Sequence, residues 1–249
     1  MSDPVDSAAS LLTGDHVLIA VCTLNEAENI GPLIAQLKQS LPTADILIVD
    51  DNSSDNTGAI VAEMADQDST VILHVRKQER GLGTAVRYAM SYAVEKDYEF
   101  LLNLDGDFSH NPTELVGLLT RAQQDPSIDV VVGSRYAAGG SVVGWPLRRR
   151  IMSRIVNRFA TLCLRLPVSD CSGSMRCYRV AALKRIDIAK LTSSGYSVFE
   201  ELLLQLHRKR ATIAEEPITF TERRQGESKL TLTEAIRSAW AMLMMAVRT

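Results

Sequence analysis

The sequence predicts an α/β fold with a wound, mostly parallel sheet, helices on both faces and peripheral amphipathic helices. Three observations point there. Short apolar runs of strand length alternate with stretches of helical period through the first 133 residues. Three of those strands end in polar or acidic residues, and in wound sheets ligands gather beyond the carboxyl ends of the strands. With 46% hydrophobic residues, the 249-residue chain has enough apolar material for one sizeable core.

The elements follow in order. Residues 1–15 read as a flexible polar arm, and 16–230 as the folded domain. His16 to Cys22 is a continuous apolar strand. Ile30 to Leu41 carries Ile30, Leu33, Ile34 and Leu37 on one helical face. Ile46 to Val49 is a second strand, running into Asp50 and Asp51. Thr57 to Ala65 is a helix with Ile60, Val61 and Met64 apolar, and Val71 to Val75 is a third strand. Gly83 to Glu95 is helical, and Phe100 to Leu104 is a strand that ends in Asp105. Thr113 to Ala122 is helical, and Asp129 to Gly133 is a fifth strand. The remainder is less regular: a long basic helix over 147–166, a helix from Phe199 to Arg210, a strand-like run from Ile213 to Thr221, a charged loop from Arg223 to Lys229, and an apolar C-terminal helix within 231–249.

Bulk properties exclude several classes. A net charge of −3 argues against a general nucleic-acid binder. The four cysteines form no C-x-x-C pair and show no zinc spacing, as expected of reduced thiols in a cytoplasmic protein. The first fifteen residues lack a basic start followed by an apolar stretch, so no signal peptide is expected. No run reaches the ~20 apolar residues that span a bilayer. Two glycines in Arg80–Gly81–Leu82–Gly83 do not make the dinucleotide fingerprint, which disfavours a hydride-transfer enzyme.

The chemistry-bearing residues sit at the strand ends. Asp105–Gly106–Asp107 puts two carboxylates around a glycine just after a buried strand. Mg2+ commonly takes one or two carboxylates plus substrate phosphates, and the glycine lets a ligand approach. An acidic turn capping the next helix explains the same residues equally well. Asp51 is placed to accept hydrogen bonds from a base or ribose, whereas Asp55 suits a helix cap. His110 reads more readily as a packing or helix-start residue than as a base. Glu200 and Glu201 favour a helix start electrostatically, with Glu201 also available to orient an arginine.

In chain order stand T-L-N-E from Thr23, V-D-D-N-S-S-D-N-T from Val49, R-G-L-G-T-A from Arg80, D-G-D-F-S-H from Asp105 and G-S-R-Y from Gly133. This series resembles the inverting family 2 glycosyltransferases of the GT-A fold. Gly144 to Arg149, Asp170 to Gly173, Ser194 to Ser197 and Arg223 to Lys229 narrow the resemblance to polyprenyl-phosphate (dolichol-phosphate) mannose synthases. It covers about Val17 to Leu230.

The resemblance implies a role for each matched position. Cys22, Thr23, Leu24, Glu26, Val49, Asp51 and Asp105 fall where a nucleoside diphosphate binds. Asp105, Asp107 and Ser109 fall at the Mg2+ or Mn2+ site, and Asp105, Asp107, Arg135 and Arg223 at the catalytic centre. Arg135, Arg149, Ser153, Arg223 and Lys229 fall where phosphate, including that of the lipid, is held. Three positions depart from the family: Cys22 replaces a proline, Leu24 an aromatic residue, and Ser172–Gly173 inverts the usual order.

The implied reaction is inverting transfer of mannose from GDP-mannose to polyprenyl or dolichyl phosphate. Glucose transfer from UDP-glucose, a different acceptor, and a non-catalytic nucleotide-sugar binder are the alternatives. A phosphate acceptor needs no general base, because its second pKa of about 6 leaves it largely dianionic at neutral pH. It needs cations, which Arg135, Arg223 and Lys229 supply. A membrane surface is the further expected partner. Ile151, Ile155, Phe159, Leu162 and Leu166 lie on one helical face among arginines, an interfacial pattern that also fits an ordinary surface helix. The expected location is the cytoplasmic face of a membrane, peripherally bound, either unaided or through a membrane-anchoring partner protein.

Overall fold

The computed structural model describes residues 16–193 and 195–222. The expected arm, the C-terminal helix, Arg223 and Lys229 lie outside these residues.

Seven strands form the main sheet: β1 (Val17–Thr23), β2 (Asp45–Asp50), β3 (Val71–Val75), β4 (Phe100–Asp105), β5 (Val130–Ser134), β7 (Arg176–Arg179) and β8 (Ile213–Pro217). Their order is β3-β2-β1-β4-β7-β5-β8, and all neighbours are parallel except that β7 runs antiparallel to β4 and β5. A small parallel pair, β6 (Ser141–Val143) with β9 (Thr219–Thr221), stands apart. The run expected to be one strand from Ile213 to Thr221 is therefore two strands in different sheets. Proline at 217 supplies no amide to continue the ladder.

Alternation along the strands divides the core. Leu18, Ala20, Leu47, Val49 and Leu101 face helices α3 (Leu82–Glu95), α6 (Val180–Leu183) and α7 (Val198–Arg208). Val17, Ile19, Val21, Ile46 and Ile48 face α1 (Ala27–Ser40), α2 (Thr57–Gln67) and α4 (Leu115–Gln124). Ile30, Leu33, Ile34 and Leu37 are the buried face of α1, as their spacing predicts. The N-cap of α2 is Asn56 and not the expected Asp55, which stands one residue earlier and accepts from the Thr57 amide at 3.2 Å and from the Ala27 amide, at the start of α1, at 3.0 Å.

Helix α5 (Leu147–Cys163) is built the other way round. Its fully buried residues are Asn157, Ala160 and Thr161, whereas Leu147, Ile151, Met152, Ile155, Val156, Phe159 and Leu162 are exposed. At 100° per residue these apolar positions lie opposite the buried stripe. The helix ends before the predicted limit, and Leu166, expected on the apolar face, is buried beyond its end.

Candidate active site

β1 lies between β2 and β4, with Thr23 in register with Asp50 and Cys22 with Asp105. The chain turns from building the sheet on one side of β1 to building it on the other, and this switch point opens a crevice at the strand ends. Cys22, Thr23, Leu24, Glu26, Asp51, Asp105, Gly106 and Asp107 line a cavity of about 420 Å³ there, closed by Arg80 to Leu82 and by Gly195 and Tyr196. Of the predicted nucleotide residues, Val49 alone stands back from it, packed in the core behind Cys22.

Hydrogen bonds hold the loops around this cavity. The Asp50 carboxylate accepts from the Ser53 hydroxyl and amide and from Thr23 Oγ1. Asn25 accepts from the Ser54 amide at 2.9 Å and donates its own amide to Ser53 Oγ at 2.8 Å, so the loops after β1 and β2 are zipped together.

Asp51 is gripped by Arg76, whose Nε donates to Oδ1 at 2.7 Å and whose Nη2 also donates to it. The Gly81 amide donates to Oδ2 at 2.7 Å. Arg76 was not singled out by sequence reasoning. The available signal was a cation immediately after a predicted strand, level with an acidic strand end.

Asp105 and Asp107 differ in setting. Asp107 is buried, and its Oδ1 accepts from the Ser109 amide at 2.9 Å. Asp105 is more open and lies 3.8 Å from His110 Nδ1, too far for a hydrogen bond. A Cβ at Gly106 would lie 3.1 Å from Thr23 Cγ2, so glycine lets this step press against β1.

The Ser109 hydroxyl and both His110 nitrogens are buried without a hydrogen-bond partner among the described residues. Orphan polar atoms beside two carboxylates fit a cation or phosphate that satisfies them on binding. No group of three or more His, Cys, Asp or Glu side chains converges among the described residues. Two carboxylates suffice for a cation that also takes substrate phosphates.

His110 packs edge-on to Phe220 at 5.2 Å. Burial lowers its pKa; Asp105 works against that and Arg135 with it, so the ring is neutral at neutral pH. It is a packing residue and not an exposed base. Burial pushes the Cys22 thiol up to about 12 despite Arg76, which leaves it protonated and unsuited to nucleophilic attack.

Arg135 sits beyond Asp105 with its fork engaged. Nε and Nη2 donate to the Asp170 carboxylate at 2.7 and 2.8 Å, and Nη2 also reaches Ser172 Oγ at 2.7 Å. Arg149 pairs with Glu222 at 2.7 Å and stacks over Trp145. Ser153 shares a 2.7 Å hydrogen bond with the Tyr136 hydroxyl. Glu201 does not orient an arginine: its carboxylate accepts from the Thr192 and Ser193 amides and fixes the loop before α7. Glu200 is buried, and desolvation raises its pKa to about 7.

A model of the family described as Glycosyl transferase family 2 matches residues 18–187. The polyprenol monophosphomannose synthase of Mycolicibacterium smegmatis is 34% identical over 227 residues, covering 90% of this chain and 84% of that protein. The undecaprenyl-phosphate mannosyltransferase of Micrococcus luteus is 34% identical over 215 residues, 86% of this chain and 87% of that one. Among solved structures, glucosyl-3-phosphoglycerate synthase from Mycobacterium tuberculosis in complex with Mn2+ and UDP-glucose superposes with a TM-score of 0.69 at 16% identity, covering 96% of this chain and 82% of that one. At that identity the likeness speaks for the fold, which is the GT-A type.

Proposed function

The chain belongs to glycosyl transferase family 2, and from that membership we infer that it transfers mannose from GDP-mannose to a polyprenyl phosphate with inversion. It is a glycosyltransferase of the polyprenyl-phosphate mannose synthase type. The observation that carries the reading is the crevice at the switch point, which Asp51, Asp105 and Asp107 line together.

The acceptor supplies its own nucleophile. A dianionic phosphate oxygen forms the bond to the anomeric carbon as the bond from that carbon to the nucleoside diphosphate breaks, so no proton need be removed. Asp51, oriented by Arg76 and Gly81, stands where the nucleoside enters. Asp105 and Asp107, with Ser109, are the residues that would hold Mg2+ or Mn2+. Such a cation would supply Lewis-acid stabilisation of the departing diphosphate.

Radiolabelled nucleotide-sugars, a divalent cation and a short polyprenyl phosphate test this directly. Label should pass into the lipid extract from GDP-mannose. Label from UDP-glucose instead would change the donor, and none from any donor would end the reading.

The acceptor's hydrophobic tail calls for a membrane surface, and α5 is the element that meets it. By helical spacing its outward apolar stripe is bordered on one side by Arg150, Arg154 and Arg158 and carries Arg148 within it, the composition of an interfacial helix. Among the described residues no helix is long and apolar enough to cross a membrane. Peripheral association at the cytoplasmic face accords with four free thiols. Replacing Ile151 and Ile155 with Asp should weaken co-sedimentation with anionic vesicles by about tenfold or more per residue. Undiminished binding of the double variant would remove α5 as the contact.

A further inference from the structure

Two guanidinium groups and two carboxyl groups are buried together where β7, the turn after α5 and the start of α7 meet: Arg135, Arg176, Asp170 and Glu200. Asp170 takes Nε and Nη2 of Arg135, which leaves the two Nη1 protons of that fork for a ligand. Arg176 donates to main-chain carbonyls instead, through Nε to Gly173, Nη1 to Phe199 and Nη2 to Cys171, at 2.8, 2.7 and 2.6 Å. Glu200 stands in the first turn of α7, and its Oε2 is buried with no hydrogen-bond partner among the described residues. A carboxyl group kept in that state costs stability and adds nothing to packing, which points to another role.

The charges in this cluster can be counted. Arg135 and Arg176 bring two positive charges and Asp170 one negative. The Cys171 thiol and the Tyr178 phenol border the cluster, and burial raises the pKa of both, so they stay neutral. With Glu200 protonated the cluster therefore carries one net positive charge, and with Glu200 ionised it carries none. Burial drives Glu200 toward the neutral form. Its own main-chain amide, Arg176 and Arg135 oppose this while Asp170 reinforces it, and the balance falls at about 7.

The groups around Glu200 are tied in place. Asp170 accepts from the amides of Arg135, Ser172 and Gly173, and Arg176 joins the Cys171–Gly173 turn to α7. A change of charge on Glu200 is thus felt at Arg135 as a change of field, which a buried cluster screens far less than water does.

We propose that Glu200 is a positioning residue that acts through Arg135: protonated, it leaves the cluster a positive charge that strengthens the hold of Arg135 on a substrate phosphate, and ionised, it cancels that charge. The inference rests on the proposed transfer to a phosphate acceptor, with Arg135 at its centre.

Initial rates of mannose transfer by wild-type protein and by Glu200→Gln, from pH 5.5 to 8.5, test it. Glutamine keeps the shape and fixes the group neutral. The acceptor phosphate also titrates, with a pKa of about 6, but it does so for both proteins, so the ratio of their kcat/KM values cancels it. That ratio, variant over wild type, should rise about five- to tenfold with pH, with its midpoint near 7. A rise carried by the acceptor KM assigns the phosphate to the lipid, and one carried by the donor KM assigns it to the sugar nucleotide; either supports the proposal. A ratio that stays flat, including a uniform loss of rate at every pH, overturns it.

Stability supplies a readout that needs no substrate. A carboxyl whose folded-state pKa is raised adds stability that is fully present below its unfolded pKa of about 4 and is lost as pH rises through the folded value. Between about pH 5 and pH 8 the urea midpoint of wild-type protein should fall relative to that of Glu200→Gln; parallel curves overturn the proposal. Should the variant fail to fold, the carbon-13 signals of labelled glutamate carboxyls in wild-type protein decide, and the absence of one that titrates near pH 7 overturns it. A flat ratio in protein that transfers mannose defeats this inference alone. Protein that transfers no sugar from any donor defeats the proposed activity and this inference with it.

Discussion

Replacing Asp107 with Ala should lower transfer by about 10²–10³-fold or more while the fold survives. The side chain is buried on the wall of the strand-end cavity, where its Oδ1 accepts from the Ser109 amide at 2.9 Å. A carboxylate kept dry beside orphan hydroxyl and imidazole groups serves a ligand more than it serves packing. In the mechanism proposed above the variant removes negative charge that would face the departing diphosphate and its cation, so kcat should fall far more than donor affinity. Raising the concentration of Mg2+ or Mn2+ should restore little of the loss. The check is initial rates of lipid labelling across a metal titration, with thermal unfolding alongside. More than a tenth of wild-type activity in a folded Asp107→Ala protein would remove it from the centre.

The second large effect is on stability. Asp170→Ala should destabilise the protein by about 3–5 kcal/mol, because it strands the Arg135 guanidinium in a buried site. Asp170 is fully buried and accepts from Arg135 through two side-chain nitrogens and the main-chain amide. Burial alone would raise the Asp170 pKa, but the Arg135 charge and its hydrogen bonds outweigh this and hold it below the ordinary value. A carboxylate with a depressed folded-state pKa adds stability that is fully present above its unfolded pKa of about 4 and is lost as pH falls through the folded value. The wild-type protein should therefore lose this contribution in acid below about pH 4, and Asp170→Ala should show a flatter decline there. Removing both charges, as Asp170→Ala with Arg135→Met, should recover part of the loss, since neither charge is then stranded. Urea denaturation of the three proteins from neutral pH to pH 3 decides it. A loss under about 1 kcal/mol in Asp170→Ala would mean that the pair is not the anchor of this region.

Local pattern was enough for the first half of the fold. Val71 to Val75 is the strand its apolar run predicts, and α1 buries the four residues its period selects. β7 was missed because Arg176–Cys177–Tyr178–Arg179 has neither a long apolar run nor clean alternation. Its burial comes from tertiary partners, with Arg176 donating to the main-chain carbonyls of Gly173, Cys171 and Phe199. Arg76 and Asp170 went unassigned for the same reason. An ion pair between residues 25 or 35 positions apart leaves no local signature.

The sequence by itself determined the alternation of strands and helices, the acidic strand ends and the family, because each is written in short-range pattern or in ordered motifs. Only the tertiary structure decided which partner each cation meets. Arg135, Arg149 and Arg154 are alike as residues, but long-range packing gives Asp170 to the first and Glu222 to the second, while the third stacks on Tyr136. It also decided that α5 turns its polar edge inward and its apolar stripe outward, since periodicity defines the faces of a helix and only its neighbours determine which one is covered.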